Sequence, residues 1–348
     1  GGYSRWRETA VTRWREDTTC DNWGTFCYIN DRDRGSFWST AHQPTLKDAD
    51  HYEAIFSQGR VEFRRRDDDI ETYTIVIVSP EDDIEVRRTH LTNHSRTKRT
   101  LSLTSYGEVV LASSSADDSH PAFSNLFVQT EINEHQNAII CTRRPRSKEE
   151  KPPWMFHLVK VNGANVNQVS YETDRSRFIG RGYSIAHPRV MDNGQSLSGS
   201  QGSVLDPIVS IQYSITLQPG ETAIVDIITG IADTQESNRN LIDKYQDRHF
   251  RDRAFELSWT HSQVVLRQIG ATEADAELYG KIASSILYLN PALRAQANII
   301  LKNRRGQSSL WSYSISGDLP IALLEISGSE NITLVKQFMK AQAYWHMK

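Results

Sequence analysis

The stretch Asn303–Ile321, NRRGQSSLWSYSISGDLPI, gathers two arginines, an amide, a Trp, a Tyr, several serines and a Gly-Asp. Aromatic faces suit the apolar side of a pyranose, and an acid, amides and hydroxyls suit its ring of OH groups. Asp318 stands out because its neighbours are uncharged. It reads equally as a sugar-gripping carboxylate and as an Asx-turn or helix N-cap residue. Asp206, in Leu205-Asp206-Pro207, reads as a turn residue. A second concentration lies at the N-terminus, GGYSRWRETAVTRWRED, where Tyr3, Trp6 and Trp14 accompany Arg5, Arg7, Arg13 and Arg15. Such a mixture can stack on sugars or anchor a buried contact. With no basic excess, domain packing plus substrate contact is the expectation, with Tyr3, Arg13, Trp14 and Arg15 as sandwich-side contacts.

Other chemistries find little equipment. His90 and His94 are four apart but fall where strand and turn are expected, and no HExxH occurs, so no metal site is assigned. Neither Gly180-Arg181-Gly182 nor Ser316-Gly317 forms a G-x-S-x-G elbow, and no phosphate-binding glycine loop lies between a strand and a helix. Cys20, Cys27 and Cys141 form no CxxC and no even framework, which argues against a disulfide scaffold and suits a reducing compartment.

The elements that must position these groups fall into two regimes. From Tyr28 to Gly230 the pattern has period two, with strands expected at Thr72–Val78, Ile84–Leu91, Thr100–Tyr106, Leu126–Ile132, Asn137–Thr142, Ile208–Leu217 and Thr222–Ile228. Asn93-His94-Ser95, Asn162-Gly163 and Pro219-Gly220 are turn signals between them. No helical pattern interrupts the run, so a large antiparallel sandwich is expected. The charge runs Arg64–Asp69 (RRRDDD) and Ser79–Arg88 read as solvated strand faces and turns, and Ser196–Ser203 as a loop.

From Asp233 the period becomes helical. Thr234–Tyr245 and Asp252–Ile269 are expected helices, the second with Phe255, Trp259, Val265 and Ile269 on one face. Thr272 should cap a third helix with Leu278, Ile282, Ile286 and Leu289 on one face, stopped by Asn290-Pro291. Asn331–Met347 is expected as a further amphipathic helix.

The 348 residues suffice for two domains. Hydrophobic content of 38% and charged content of 24% are ordinary for a soluble chain, and a net charge of −3 excludes the basic face a nucleic-acid binder needs. No apolar run is long enough for a membrane span and no signal peptide is seen. A start at Gly1-Gly2 and an end within a helical pattern fit a piece of a larger protein.

Beyond these patterns, GGYSRWR, VTRWRED and NWGTFCYI resemble the opening of the sandwich domain of glycoside hydrolase family 94, the inverting phosphorylases. Within it the likeness is greatest to cyclic β-1,2-glucan synthases, in their phosphorylase-like region, and to 1,2-β-oligoglucan phosphorylases. SPEDDIEVRRTHLTN, TSYGEVVLA, HPAFSNLFVQTE, RRPRS, RFIGRG, LSGSQGSVLDPI, LQPGETA and NRRGQSSLWSYSISGDLPI continue it in order. The resemblance implies a β + α multidomain fold: a galactose-mutarotase-like supersandwich over 1–232, a helical linker over 233–300, and the beginning of an (α/α)6 barrel over 301–348. In the family an Asp of the barrel protonates the glycosidic oxygen while phosphate attacks with inversion, giving α-glucose 1-phosphate. No position here matches that acid or the phosphate-binding residues, so no catalytic residue is assigned and the chain alone is expected to be inactive. By position Asp318 would grip the donor-side glucose, with Arg304, Arg305, Gln307, Trp311 and Tyr313 behind it. Ser314 stands where synthase-type relatives often carry Gly. No cofactor is implied. Inorganic phosphate, glucose 1-phosphate and a β-glucan oligosaccharide would be the parent enzyme's partners, with a homodimer through the sandwich. The parent would act at the cytoplasmic face, as a soluble phosphorylase or an inner-membrane synthase. The rival readings are a carbohydrate-binding or oligomerisation module and a structural scaffold.

Overall fold

The computed structural model describes residues 1–15, 17, 19–192, 195–288 and 290–347. Its strands, in chain order, are β1 (Arg5–Trp6), β2 (Thr9–Ala10), β3 (Thr25–Asp31), β4 (Ser36–Ser39), β5 (His51–Ser57), β6 (Arg60–Asp67), β7 (Ile70–Val78), β8 (Ile84–Asn93), β9 (Arg99–Glu108), β10 (Val128–Asn133), β11 (Ala138–Arg143), β12 (Trp154–Asn162), β13 (Asn165–Asp174), β14 (Pro207–Leu217) and β15 (Thr222–Ala232). β1 and β2 form a small hairpin. The remainder build two antiparallel sheets, ordered β10-β11-β12-β15-β8-β7-β6-β5 and β13-β14-β9-β3-β4.

Alternation along each strand sorts side chains between two faces. Cys27 and Ile29 of β3, Leu101 and Leu103 of β9, and Val225 and Ile227 of β15 enter the core between the sheets. Phe26, Tyr28 and Tyr106 turn to the other side of the five-stranded sheet and pack on Phe178, Ile179, Met191 and Leu197. Outward-facing Ile84, Val86 and Ile228 of the eight-stranded sheet pack under Ile242, Tyr245 and Ala254. Both sheets are thus covered on both faces over much of their area. This is why several strands read as nearly continuous apolar runs.

The three turn signals mark three of the five places where the chain crosses from one sheet to the other: β8 to β9, β12 to β13, and β14 to β15. Buried Asn93 ties two of them together. Its Nδ2 donates to the carbonyls of Thr97 (2.8 Å), Leu217 (3.2 Å) and Gln218 (3.2 Å), and its Oδ1 accepts from the Ser95 amide (3.0 Å). Gly163 has φ +77°, and a Cβ there would lie 2.8 Å from the Thr222 carbonyl oxygen, so this crossing requires glycine.

Three expectations are corrected. Short helices α1 (Ser114–Ser119), α2 (Pro121–Asn125) and α3 (Arg175–Ile179) interrupt the β region; elements this short carry no readable period. Leu126 caps α2, and the strand expected from it starts at Val128. The RRRDDD run is not wholly solvated: Arg65 and Asp67 are 1% and 5% exposed and pair at 2.7 Å, because alternate residues of β6 face inward.

Helices α4 (Gln235–Gln246), α5 (Arg248–Ile269), α6 (Glu273–Leu287), α7 (Ala297–Ile300) and α8 (Ile332–His346) follow. Thr272 and Asp275 form a capping box at the start of α6. On α6 the buried residues are Ala276 and Tyr279, which meet Ala341 and Tyr344 of α8. Leu278, expected on the buried face, is 49% exposed, and Leu289 lies outside the described residues. The chain divides into two compact units, Gly1–Trp259 and Thr260–Lys348.

Within the first unit, α5 is fastened to the sheet by charge. Fully buried Asp226 of β15 accepts from Arg251 of α5 (2.8 Å) and from Arg88 of β8 (2.6 and 3.0 Å). Arg251 also donates to the carbonyls of Tyr245 and Gln246, both at 2.8 Å, closing the end of α4. Asp226→Ala would leave buried Arg251 without its anion and Arg88 with Asp252 alone, a loss of about 3–5 kcal/mol. Urea unfolding should register that loss, against little change for Glu81→Ala, which removes the exposed Arg253–Glu81 pair.

A second fastener joins the sheets. His157 is fully buried, with Nδ1 3.1 Å from Thr229 Oγ1 and Nε2 2.8 Å from Ser105 Oγ. Burial, reinforced by Arg87, lowers its pKa to about 3. The unfolded chain takes up this proton near pH 6.5 and the folded chain does not. Stability should therefore fall as pH drops from about 6.5 towards 3, by about 1.4 kcal/mol per unit from this group. Equilibrium unfolding between pH 7 and pH 5 should show a shallower decline in His157→Gln.

Candidate functional site

In the second unit, Gln307–Tyr313 forms a 3-10 helix that ends on Ser314 in the left-handed region (φ 59°). The chain then folds back. Gln307 Nε2 donates to Asp318 Oδ1 (2.7 Å) and to the Ser316 carbonyl (2.9 Å). Trp311 Nε1 donates to the same carbonyl (3.2 Å). The Ser316 hydroxyl donates to Asp318 Oδ2. Gly317 makes the reversal possible. It has φ +74°, and a Cβ there would sit 3.0 Å from both Gln307 Cγ and Leu310 Cδ1.

Asp318 is therefore neither a helix cap nor a plain turn residue. The hydrogen bonds from Ser316 and then Gln307 hold its carboxyl below the usual range. At neutral pH it is an acceptor-only carboxylate with lone pairs still open to sugar hydroxyls. Trp311 is 63% and Tyr313 71% exposed. The Trp311 N–H is spent on the loop, which leaves its ring faces for a pyranose.

The expected set is only partly gathered. Gln307, Trp311 and Asp318 share one hydrogen-bonded loop. Tyr313 lies next to it, exposed. The Arg304 and Arg305 side chains are exposed and make no hydrogen bond to the loop among the described residues; the Arg305 amide donates to Asn303 Oδ1 (3.0 Å). Ser316, which positions Asp318, was not singled out, although a Ser two residues before an Asp is a readable signal.

The N-terminal residues lie in the other unit. Tyr3 and Trp14 meet edge to face at 5.2 Å, and Arg15 stacks over Trp23 at 4.7 Å. Arg13 points inward. It grips Asp117 through Nε (2.6 Å) and Nη2 (3.0 Å) and reaches Glu108 at 3.3 Å. Glu108 is 4% exposed. Its pKa is raised by burial, against the opposing pull of Arg13 and Arg175. Asp206 joins this cluster, accepting from Asn125 (3.1 Å) and Arg175 (3.4 Å). Arg13 thus fastens the N-terminal segment to α1. The readable trace of its partner was the Asp117-Asp118 pair, set in a serine-rich stretch without a nearby Lys or Arg. His94, in the β8–β9 turn, faces Glu71 at 3.0 Å.

The glycosyl hydrolase 94 supersandwich domain model matches residues 1–248. Among curated relatives, cyclic beta-(1,2)-glucan synthase NdvB of Rhizobium meliloti (strain 1021) is 34% identical over 343 residues, 99% of this chain and 12% of that protein. N,N'-diacetylchitobiose phosphorylase of Vibrio furnissii is 26% identical over 260 residues, 73% of this chain and 31% of that protein. Solabiose phosphorylase of Paenibacillus borealis is 25% identical over 221 residues, 63% of this chain and 27% of that protein. The chain therefore spans a third or less of the length of each of these relatives.

The loop geometry has a direct readout. Carboxyl-carbon NMR titration should place Asp318 below an ordinary aspartate. Ser316→Ala should bring it back towards about 3.9, and Gln307→Ala should do so to a smaller extent. An Asp318 that titrates identically in all three proteins would contradict the geometry.

Proposed function

We propose that this chain, which belongs to the glycosyl hydrolase 94 family, forms the sandwich and junction part of a β-1,2-glucan-active enzyme that transfers glucosyl units. The observation that carries the proposal is identity of 34% to a cyclic beta-(1,2)-glucan synthase across 99% of the chain. The parent reaction would be phosphorolysis of β-1,2-glucan to α-glucose 1-phosphate, or control of cyclic glucan length. Inorganic phosphate would be its co-substrate and the sandwich its dimer surface. Such a parent is a soluble phosphorylase or an inner-membrane synthase. No helix among the described residues is long and apolar enough to cross a membrane.

Within this reading the second unit begins an (α/α)6 barrel. Support comes from its outward apolar side chains, with Leu293, Leu301, Leu319 and Leu323 at 70%, 75%, 80% and 81% exposure. Exposure of that extent marks surface that packs on something else. Asp318 and Gln307 bind glucose hydroxyls while Trp311 and Tyr313 offer ring faces. The general acid is not among the residues assigned here.

A second reading, a separate carbohydrate-binding site in the sandwich, has one observation in its favour. A cavity of about 400 Å³ opens on the inner face of β5–β7, lined in part by Tyr52, Phe56, Phe63 and His42, a size suited to a small ligand.

Calorimetry with a β-1,2-glucan oligosaccharide separates the two. Trp311→Ala should weaken binding about tenfold or more, with Phe56→Ala unchanged; the reverse pattern favours the cavity. The chain should also release no phosphate from glucose 1-phosphate in the presence of sophorose. Turnover by this chain alone would contradict the assignment of the acid elsewhere.

A further inference from the structure

Four arginines are buried among the described residues: Arg65, Arg99, Arg143 and Arg251. Arg65 faces Asp67, Arg99 faces Asp31 and Arg251 faces Asp226. Arg143, at the end of β11 and 7% exposed, has no carboxylate partner. One Nη donates to the Val110 carbonyl (2.9 Å) and to Ser124 Oγ (3.3 Å). Its Nε and other Nη make no hydrogen bond among the described residues and reach solvent.

Two more cations crowd it. The guanidinium carbons of Arg143, Arg144 and Arg146 lie 5.7, 5.7 and 4.9 Å from the centre of the Phe127 ring. Arg144 donates to the Leu126 carbonyl (2.8 Å), and Arg146 makes no side-chain hydrogen bond among the described residues. Two acids stand nearby, and neither pairs with the Arg143 guanidinium. Asp117 is held by Arg13, and Glu150 accepts from the Arg146 backbone amide. Burial, and then Arg146, lowers the Arg143 pKa against the weaker pulls of Glu150 and Asp117.

A guanidinium set largely into the fold with no carboxylate paired to it, beside two like charges, is unfavourable even with its remaining N–H groups at solvent. A fold that retains the arrangement holds it ready for an anion supplied from outside. Guanidinium forks match phosphate oxygens in pairs, and the Phe127 ring lies within cation–π range of all three. We propose that Arg143, Arg144 and Arg146 around Phe127 form a binding site on the sandwich for a phosphate group, free or carried on a saccharide. The site is independent of the glucose-gripping reading of Asp318.

Calorimetry on the 348-residue chain tests this with orthophosphate, glucose 1-phosphate and glucose, at about 50 and about 300 mM salt. Both phosphates should bind, more weakly at the higher salt, and glucose should not. Equal affinities would identify the phosphate group itself as the ligand; binding of glucose 1-phosphate alone would identify a phosphorylated saccharide. Either supports the site. Arg144→Gln with Arg146→Gln, both exposed positions, should weaken binding about tenfold or more, and Arg96→Gln on another surface should not. Absence of binding by both phosphates overturns the proposal. So does affinity unchanged in the double variant, or an equal loss in Arg96→Gln.

Discussion

A single carboxylate joins the layers of the sandwich unit. Asp226 sits on the outer face of the eight-stranded sheet, fully buried, and receives one arginine from the neighbouring strand and one from α5. Arg251 has no other anion there, and the carboxylate could not be buried without its arginines. Arg88 extends the joint to Asp252 (2.6 Å) and lies 4.6 Å over the Phe255 ring, while Arg251 closes the end of α4. One buried charge therefore links a cross-strand pair, the end of α4 and the docking of α5. The helix so fixed, α5, runs on past Trp259, where the first compact unit ends.

Much of this was legible in the sequence. Strands β7 to β11, β14 and β15 alternate and were located to within a few residues, while β4, β12, β13 and most of β3 fell inside the β region without being singled out. All three turn signals proved to be crossings between sheets, a role that spacing alone does not show. The edge strand β5 and its neighbour β6 were missed because HYEAIFS and RVEFRRRD are rich in polar and charged residues, which strands at and near an edge tolerate. The burial of Arg65 and Asp67 follows from the pleat of β6, which sends alternate members of a charged run to opposite faces. On α6, small Ala276 and tyrosine Tyr279 make the contact that a count of leucines and isoleucines assigned elsewhere.

The loop around Asp318 was legible as a concentration of sugar-binding residue types, and its internal logic was not. Gln307 and Asp318 are eleven residues apart, and no periodic pattern pairs them. The pairing follows from the reversal at Ser314 and Gly317, where positive φ and close approach bring the ends together. Similarly, Arg13 and Trp14 carried the right chemistry for a ligand contact, yet Arg13 is drawn inward by two buried acids whose distance in sequence hid them.

Family membership and the loop give one account: a sandwich, followed by a unit whose loop carries an ionised aspartate and the exposed rings of Trp311 and Tyr313. The most direct measurement of its central claim is backbone NMR of the chain during titration with a β-1,2-glucan oligosaccharide. The account predicts shifts concentrated in Gln307–Asp318, including the Trp311 indole N–H. Shifts confined to the inner face of β5–β7, or none at all, would contradict it.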